Sequence, residues 1–437
     1  MRVSDKSDDF LIFFSGGRLE YPGTSHHGRR QGHNTRMNKQ VLIAGGGIGG
    51  LAAAIGASRA GWEVRLFEQA RVLSEVGAGI QLGPNVVRRL QAWGLQKPLQ
   101  QVVALPDSLR VRSAATGQEL GHMPLGSEAV HRYGAAYATT HRADLQQLLK
   151  EAAQTYPGMH LNLGQPIEGF SETDGVVTVR TQAGKLIEGD ALVAADGVRS
   201  VLRQQLLGDG PPRVTGHLAY RALVPAQALP AAWRAQVTAW LGPRLHAVHY
   251  PVRRGEWMNL VVIIHGNPPQ DLEHWDHAAN AADLAHALEG THPALQEVVH
   301  SVAAAGLGWR LWPLCDRAPM PSADAMARGL VALLGDAAHP MPPYLAQGAG
   351  MALEDATQLQ AALALHDVEV PLRLRRYALN RWQRAARVQA RSQRNGRIFH
   401  ATGLVRWGRD LGLRVLGEHL LDVPWLYRGD GMDAGLM

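Results

Sequence analysis

The glycines Gly45, Gly47 and Gly50, with Ile48 and Gly49 in the gaps, follow an apolar run at 41–44 and precede a stretch of helix formers at 51–60. At this spacing the first glycine turns the chain, the second lets a pyrophosphate approach the backbone, and the third packs helix on strand. Free amides at the helix start then face the phosphates. The glycines alone would also suit a plain turn, so their context decides. Gly61 ends the helix, and 63–67 reads as a second strand that delivers Glu68, with Gln69 beside it. A carboxylate about 20 residues beyond such a loop meets the hydroxyls of an unphosphorylated ribose, as in FAD or NAD.

Two more carboxylates stand where apolar runs end. Residues 191–195 read as a buried parallel strand, and Asp196-Gly197 makes a sharp exit at its carboxyl end, where ligands of such sheets lie. Residues 330–334 deliver Gly335 and Asp336 in the same way. Prolines stiffen the loop that follows, and Gly348-Ala349-Gly350 leads into a helix expected from Met351. If a flavin ring lies there, the unpaired amides of that helix start would stabilise the negative charge that builds on it on reduction. In the glycine-rich segment 77–85, Gly79 lets backbone lie against a flat ligand, and Gln81 offers both a donor and an acceptor. Arg142 opens a helix reaching Gln154, a position the helix dipole disfavours unless an anion such as a pyrophosphate is near. A merely exposed arginine is the alternative.

The elements that must position these groups are of two kinds. Strands and helices alternate through the segments just named, whereas 213–315 turns to strands at 217–224, 245–250 and 257–264, with helices expected at 278–288 and 293–304. Hairpins are expected at 109–125 and 176–187. A second sheet set beside a nucleotide domain is a natural wall for a substrate pocket. Residues 1–36, polar and without period, read as a disordered extension with scattered histidines, and no metal site is expected.

At 437 residues, 46% hydrophobic and 19% charged, the composition is that of an ordinary globular protein. A single cysteine, Cys315, excludes an internal disulfide framework and suits the reducing cytoplasm. The net charge of +6 raises nucleic acid or a membrane surface as partners. Much of the excess, however, recurs at helical spacing through Arg381, Arg384, Arg387, Arg391 and Arg394, which reads as one solvated helix face; an anion or membrane-surface patch is the sharper alternative. No apolar run approaches the ~18 residues that cross a bilayer, and no signal peptide is recognisable. Neither a nucleic-acid partner nor integral membrane association is therefore expected.

Together, the loop at 45–50 with Glu68, the Ala195-Asp196-Gly197 exit and the segment 335–350 resemble the single-component FAD-dependent aromatic hydroxylases of the para-hydroxybenzoate hydroxylase fold. Residues 77–85, 246–251, 344–348 and 425–427 resemble the branch holding salicylate hydroxylase, 3-hydroxybenzoate 6-hydroxylase and 6-hydroxynicotinate 3-monooxygenase. The resemblance implies an α/β fold, with a Rossmann-like FAD domain at 37–108, 135–212 and 316–365. It further implies a mostly antiparallel substrate domain at 109–134 and 213–315, and C-terminal helices at 366–437. It implies that Glu68 holds the adenosine ribose, that Arg142 and Asp336 lie along the phosphates and ribitol, and that 348–350 lie under the flavin ring. Asp196-Gly197 is tied by the same resemblance to FAD and to a transient NADH or NADPH. The implied reaction uses O2, through a flavin C4a-hydroperoxide, to hydroxylate a small phenolic or heteroaromatic acid. Candidates for favouring the phenolate are His217, Tyr220 and Tyr344, while Pro343 would place a carbonyl beside the reacting ring; His339 reads as structural. A homodimer is expected from the family alone. The competing readings are an epoxidase, quinone-pathway hydroxylase or reductase of the same fold, and a non-catalytic FAD-binding sensor.

Overall fold

Val41, Leu42 and Ile43 are wholly buried, as a strand covered on both faces requires. In the computed structural model, which describes residues 39–73, 79–269, 271, 277–278 and 281–429, they form the strand Gln40–Ala44. The expectations for 1–36, for Gly77-Ala78 and for 430–437 lie outside the described residues. Gln40–Ala44 pairs in parallel with Glu63–Glu68 on one side and Ala191–Ala194 on the other. The sheet continues to Met159–Leu163 at one edge and to Val331–Leu333 and Ala327–Arg328 at the other. The carboxyl ends of three neighbouring parallel strands thus bring the 45–50 loop, Glu68 and Asp196 to one edge, with Asp336 just past Val331–Leu333. The helix Ile48–Arg59 packs on Gly348–Leu363, so two glycine-led helix starts share that edge.

Among the described residues a second sheet runs in the order His277–Ala278, Arg310–Asp316, Arg213–Pro225, Trp257–His265, Leu245–Val252, Gln236–Gly242, Ser108–Ser113, Glu119–Pro124. It is antiparallel apart from the pairing of Gln236–Gly242 with Ser108–Ser113. Because side chains alternate along a strand, Leu218, Tyr220, Ala222 and Val224 face one way, into a core shared with Leu295, Val298 and Val302 of the helix Pro293–Ala304. His217, Ala219, Arg221 and Leu223 belong to the opposite face, where Ala219 packs with Tyr344.

Several expectations are corrected. Tyr220 is a buried core residue on the far side of the sheet from His217, three positions away and therefore of opposite parity. The helix expected at 278–288 is described as Ala281–Ala287, with His277–Ala278 paired as a short strand against Arg310 and Leu311. The helix expected from Met351 begins at Gly348, because glycine is tolerated in a first turn whose amides need no partner within the helix. The hairpin at 176–187 gains a third strand, Ile167–Thr173.

The largest correction concerns the arginine stripe. Arg381 is completely buried on the long helix Val370–Phe399, bonding Asp355 through Nε at 2.7 Å and Glu354 through Nη1 at 2.9 Å. Arg384 binds both Glu354 oxygens, at 2.6 and 2.8 Å, and donates to the carbonyls of Trp425 and Leu426. Of the five arginines that helical spacing put on one face, Arg381 and Arg384 thus meet the acidic side of Gly348–Leu363 instead of water, whereas Arg387 and Arg394 are exposed as expected.

Candidate functional site

The three loop glycines have separate physical reasons. Gly45 has φ of +105°, and a Cβ there would lie 2.3 Å from the Ala195 carbonyl oxygen. At Gly50 a Cβ would meet the Gly45 carbonyl oxygen at 1.8 Å, so close packing of helix on loop demands glycine. Gly47 has nothing within 4 Å of such an atom, and that open space is what a phosphate group needs. Glu68 accepts from the Gly46 amide at 2.6 Å and from the Ala70 amide at 2.8 Å, so the carboxylate is anchored at the loop it is expected to serve; Gln69 beyond it is exposed. Asp196 accepts from Ser200 Oγ at 2.5 Å and from the Leu202 amide at 3.3 Å, which ties it to the N-cap residue Ser200 and the first turn of the helix Val201–Leu207. Burial raises its carboxyl above the ordinary range, against the pull of these hydrogen bonds. Gly197 takes φ of +83°.

Asp336 follows the strand Val331–Leu333 and is exposed, although protein atoms crowd around it. Those surroundings push its carboxyl up, and Arg142 and His339 pull it down. Arg142, at the start of Arg142–Gln154, is therefore near enough to Asp336 to act on it electrostatically. Gly348 lies near Asp336, with an added Cβ 3.9 Å from Oδ1. Gly79, on the strand Gly79–Leu82 of a small three-stranded sheet, is held against the second sheet: its amide donates to Asn259 Oδ1 at 2.7 Å, and a Cβ there would strike Asn259 and Tyr250. Gln81, next along that strand but one, accepts from Tyr137 Oη at 2.6 Å. His339 bonds Asp355 at 2.6 Å in the buried ion-pair network.

From Asn259 the second sheet presents successive rows away from Gly79: Arg221 opposite Val261, Ala219 opposite Ile263, then His217 opposite His265. Arg221 stacks over Trp312, 3.9 Å from the ring centroid. Tyr344 covers this face among Ala219, Ile263, Trp312 and Leu314, and its hydroxyl is hydrogen-bonded to His217 Nδ1. Burial lowers the His217 imidazole to about 4 and raises the Tyr344 phenol, so at neutral pH both are uncharged. The proline loop bearing Tyr344 is held from behind by a polar stripe of the long helix. Gln389, Ser392 and Asn395 donate to the carbonyls of Pro340 (3.2 Å), Pro342 (2.5 Å) and Tyr344 (3.0 Å). Pro343 itself is exposed, and its carbonyl accepts from the Ala346 amide at 3.1 Å.

Sequence reasoning missed Arg221, the polar stripe, and three further histidines, His246, His265 and His400, that gather around Tyr344 and His217. Alternation along three strands could have placed His217, His246 and His265 on one face. Nothing in the sequence announces that His400 returns to meet them.

A domain model described as FAD binding domain matches residues 38–392, and the chain belongs to that family; its cofactor is FAD. Within the family it is similar to 3-hydroxybenzoate 6-hydroxylase of Polaromonas naphthalenivorans, 38% identical over 392 residues covering 89% of this chain and 95% of that one. It is 36% identical over 368 residues to 6-hydroxynicotinate 3-monooxygenase of Bordetella bronchiseptica, covering 82% and 91%. Among solved structures, a salicylate hydroxylase substrate complex superposes with a TM-score of 0.76 at 27% identity, covering 92% of this chain and 98% of that one. The chain is accordingly an enzyme of the flavin-dependent aromatic monooxygenase class.

Proposed function

We propose that this enzyme uses NADH or NADPH and O2 to hydroxylate a small aromatic acid that carries a ring hydroxyl or its heteroaromatic equivalent. The observation that carries the reading is one sheet face bearing a guanidinium, Arg221, two rows from the Tyr344–His217 pair, under an apolar cover. A guanidinium suits a carboxylate, and a hydroxyl–imidazole pair suits a phenol. The open space at Gly47, the anchored carboxylate of Glu68 and the paired helix starts fit FAD. In this reading the 45–50 loop and Glu68 hold the adenosine end, Arg142 and Asp336 the phosphates and ribitol, and the amides at 348–350 the ring, with Gln81 and Asp196-Gly197 flanking it.

When bound, FAD supplies reduction by the nicotinamide and activation of oxygen. The chain does the rest. Arg221 anchors the carboxylate and so sets which ring carbon faces the flavin. The substrate hydroxyl donates to Tyr344 Oη, whose own proton passes to His217 Nδ1, and the neutral imidazole accepts it. Trp312, Leu314, Ile263 and Ala219 keep water from this hand-over, which favours hydroxylation over release of peroxide. The substrate lobe in this scheme is 109–134 with 213–315, and the enzyme works in the cytoplasm as a homodimer.

The test is NADH consumption with oxygen uptake across hydroxybenzoates and hydroxynicotinates, with peroxide assayed in parallel. Fast consumption without peroxide identifies a true substrate. Consumption ending as peroxide with every member, or no stimulation, overturns the substrate class. Arg221→Met is expected to raise KM for the acid by about 30-fold or more, the scale of a lost buried charge contact, while an uncharged phenol is affected little.

A further inference from the structure

Four histidines from separate elements meet at the end of the sheet face beyond Ala219 and Ile263. His217 and His265 stand directly opposite on adjacent antiparallel strands, their rings stacked with centroids 4.4 Å apart. His400 caps the long helix Val370–Phe399, and its place is fixed twice over. Its carbonyl accepts from the Arg244 amide at 3.1 Å, and Arg409 reaches the carbonyls of Ile398 and Phe399 just before it. His400 Nδ1 lies 2.9 Å from His265 Nε2, and His400 Nε2 lies 2.7 Å from His246 Nδ1. One nitrogen from each of His217, His265 and His400 falls within 4.8 Å of the others.

We propose that His217, His265 and His400 form a binding site for one divalent cation of the zinc, nickel or copper type. Imidazole is the ligand these borderline ions share, and three such ligands with an open fourth position make a complete coordination set. Tetrahedral zinc at about 2.0–2.1 Å from each nitrogen needs those nitrogens about 3.3 Å apart. Small ring rotations open the His265–His400 pair and draw His217 in. Hydrogen bonds already assign the donor atoms. His217 Nδ1 is taken by Tyr344, which leaves Nε2 for the metal; His265 offers Nε2 and His400 offers Nδ1. The remaining His400 nitrogen then donates to His246 Nδ1, and His217 Nδ1–H donates to Tyr344 Oη. Both are the outer partners that orient a ligating imidazole and fix its tautomer. His265 is exposed, which gives the ion an entry path. A bound metal would hold the His217 proton on Nδ1, so Tyr344 could no longer pass its own proton there, and the cation would act as an inhibitor of ring activation.

The experiment uses FAD-loaded enzyme stripped with chelator, then titrated with Zn2+ against a chromophoric competitor. Expected is one Zn2+ per chain, with affinity falling by about 100-fold or more in His265→Asn and in His400→Asn, beyond the 10–100-fold typical of losing an outer partner. Cu2+ in the same protein should show an electron paramagnetic resonance spectrum split by three imidazole nitrogens. FAD absorbance confirms that each variant is folded, and exposed His265 carries the test if His400→Asn fails to fold. Zinc affinity unchanged in folded His265→Asn, or no binding at all, would overturn the site. Neither readout depends on hydroxylation, so its failure and that of the proposed activity are separable.

Discussion

At the scale of single residues, the glycine loop at 45–50 separates two uses of glycine that the sequence pattern lumps together. Gly47 faces open space, so Gly47→Ala should leave the apoprotein's thermal midpoint nearly unchanged while weakening FAD binding. Gly50→Ala instead drives a methyl to 1.8 Å from a backbone oxygen and should destabilise the fold whether or not FAD is present. Differential scanning fluorimetry on apo and FAD-loaded protein distinguishes them; equal behaviour of the two variants would contradict this division of roles. Glu68→Ala and Asp336→Ala should both lower the FAD-to-protein absorbance ratio after desalting, and a variant that stays fully yellow counts against its assignment. For the proton hand-over, His217→Asn should slow product formation by about 100-fold, the lower end of general-base contributions. It should also divert NADH oxidation toward peroxide. Unchanged coupling would remove His217 from the chemistry.

At the scale of elements, the helix start under the proposed flavin ring is held by buried charge. Glu354 and Asp355, on the second and third turns of Gly348–Leu363, face Arg381 and Arg384 across the helix pair. Burial alone would raise the Glu354 carboxyl, but the Arg384 hydrogen bonds and the charges of Arg381, Arg384 and Arg89 hold it well below the usual range. Asn85 adds a bond to Glu354 at 2.8 Å and one to Gln347 at 3.2 Å, tying in the helix Pro84–Ala92. Breaking a buried pair by removing one partner costs about 3–5 kcal/mol, mostly because the other charge is left uncompensated. Arg381→Met should therefore lower unfolding free energy by roughly that amount in urea titration. A change below about 1 kcal/mol would mean that water reaches the network. The sequence showed this stripe as basic and periodic. It could not show that the facing helix answers Arg381 and Arg384 with carboxylates.

At the scale of the whole molecule, the second sheet and the returning long helix bury His246 and His400 of the histidine cluster, and that burial has a cost in acid. Burial lowers His217 to about 4, His246 to about 3 and His400 to about 2, with the neighbouring imidazoles adding to each shift. Unfolded histidines titrate near 6.5. Below pH 6.5 the unfolded chain thus binds protons that the folded chain refuses, and stability falls as pH drops from about 6.5 toward 4. The urea midpoint should decline across that window, and His246→Asn should flatten the decline. A midpoint independent of pH between 7 and 5 would show the cluster to be wetter than its packing implies. Among the described residues no helix is long and apolar enough to cross a membrane.

What the sequence determined by itself was local. A glycine turn, the acidic end of the next strand, and apolar runs that must be buried on both faces are set by backbone sterics and by a side-chain period that neighbours hardly alter. These sufficed for the strand–glycine turn–helix at the start of the fold, the parallel sheet, the mostly antiparallel second sheet and the family. Tertiary structure alone decided which face of a strand or helix meets what. Parity along one strand already separates Tyr220 from His217, but only the helix Pro293–Ala304 makes one face a core, and only the returning Tyr344 gives the other its partner. Arg381 and His400 become an ion-pair partner and a member of a histidine cluster only because the long helix folds back across residues far away in the chain. Burial and partnership of a charged side chain depend on the other surface, and that surface is assembled by the fold.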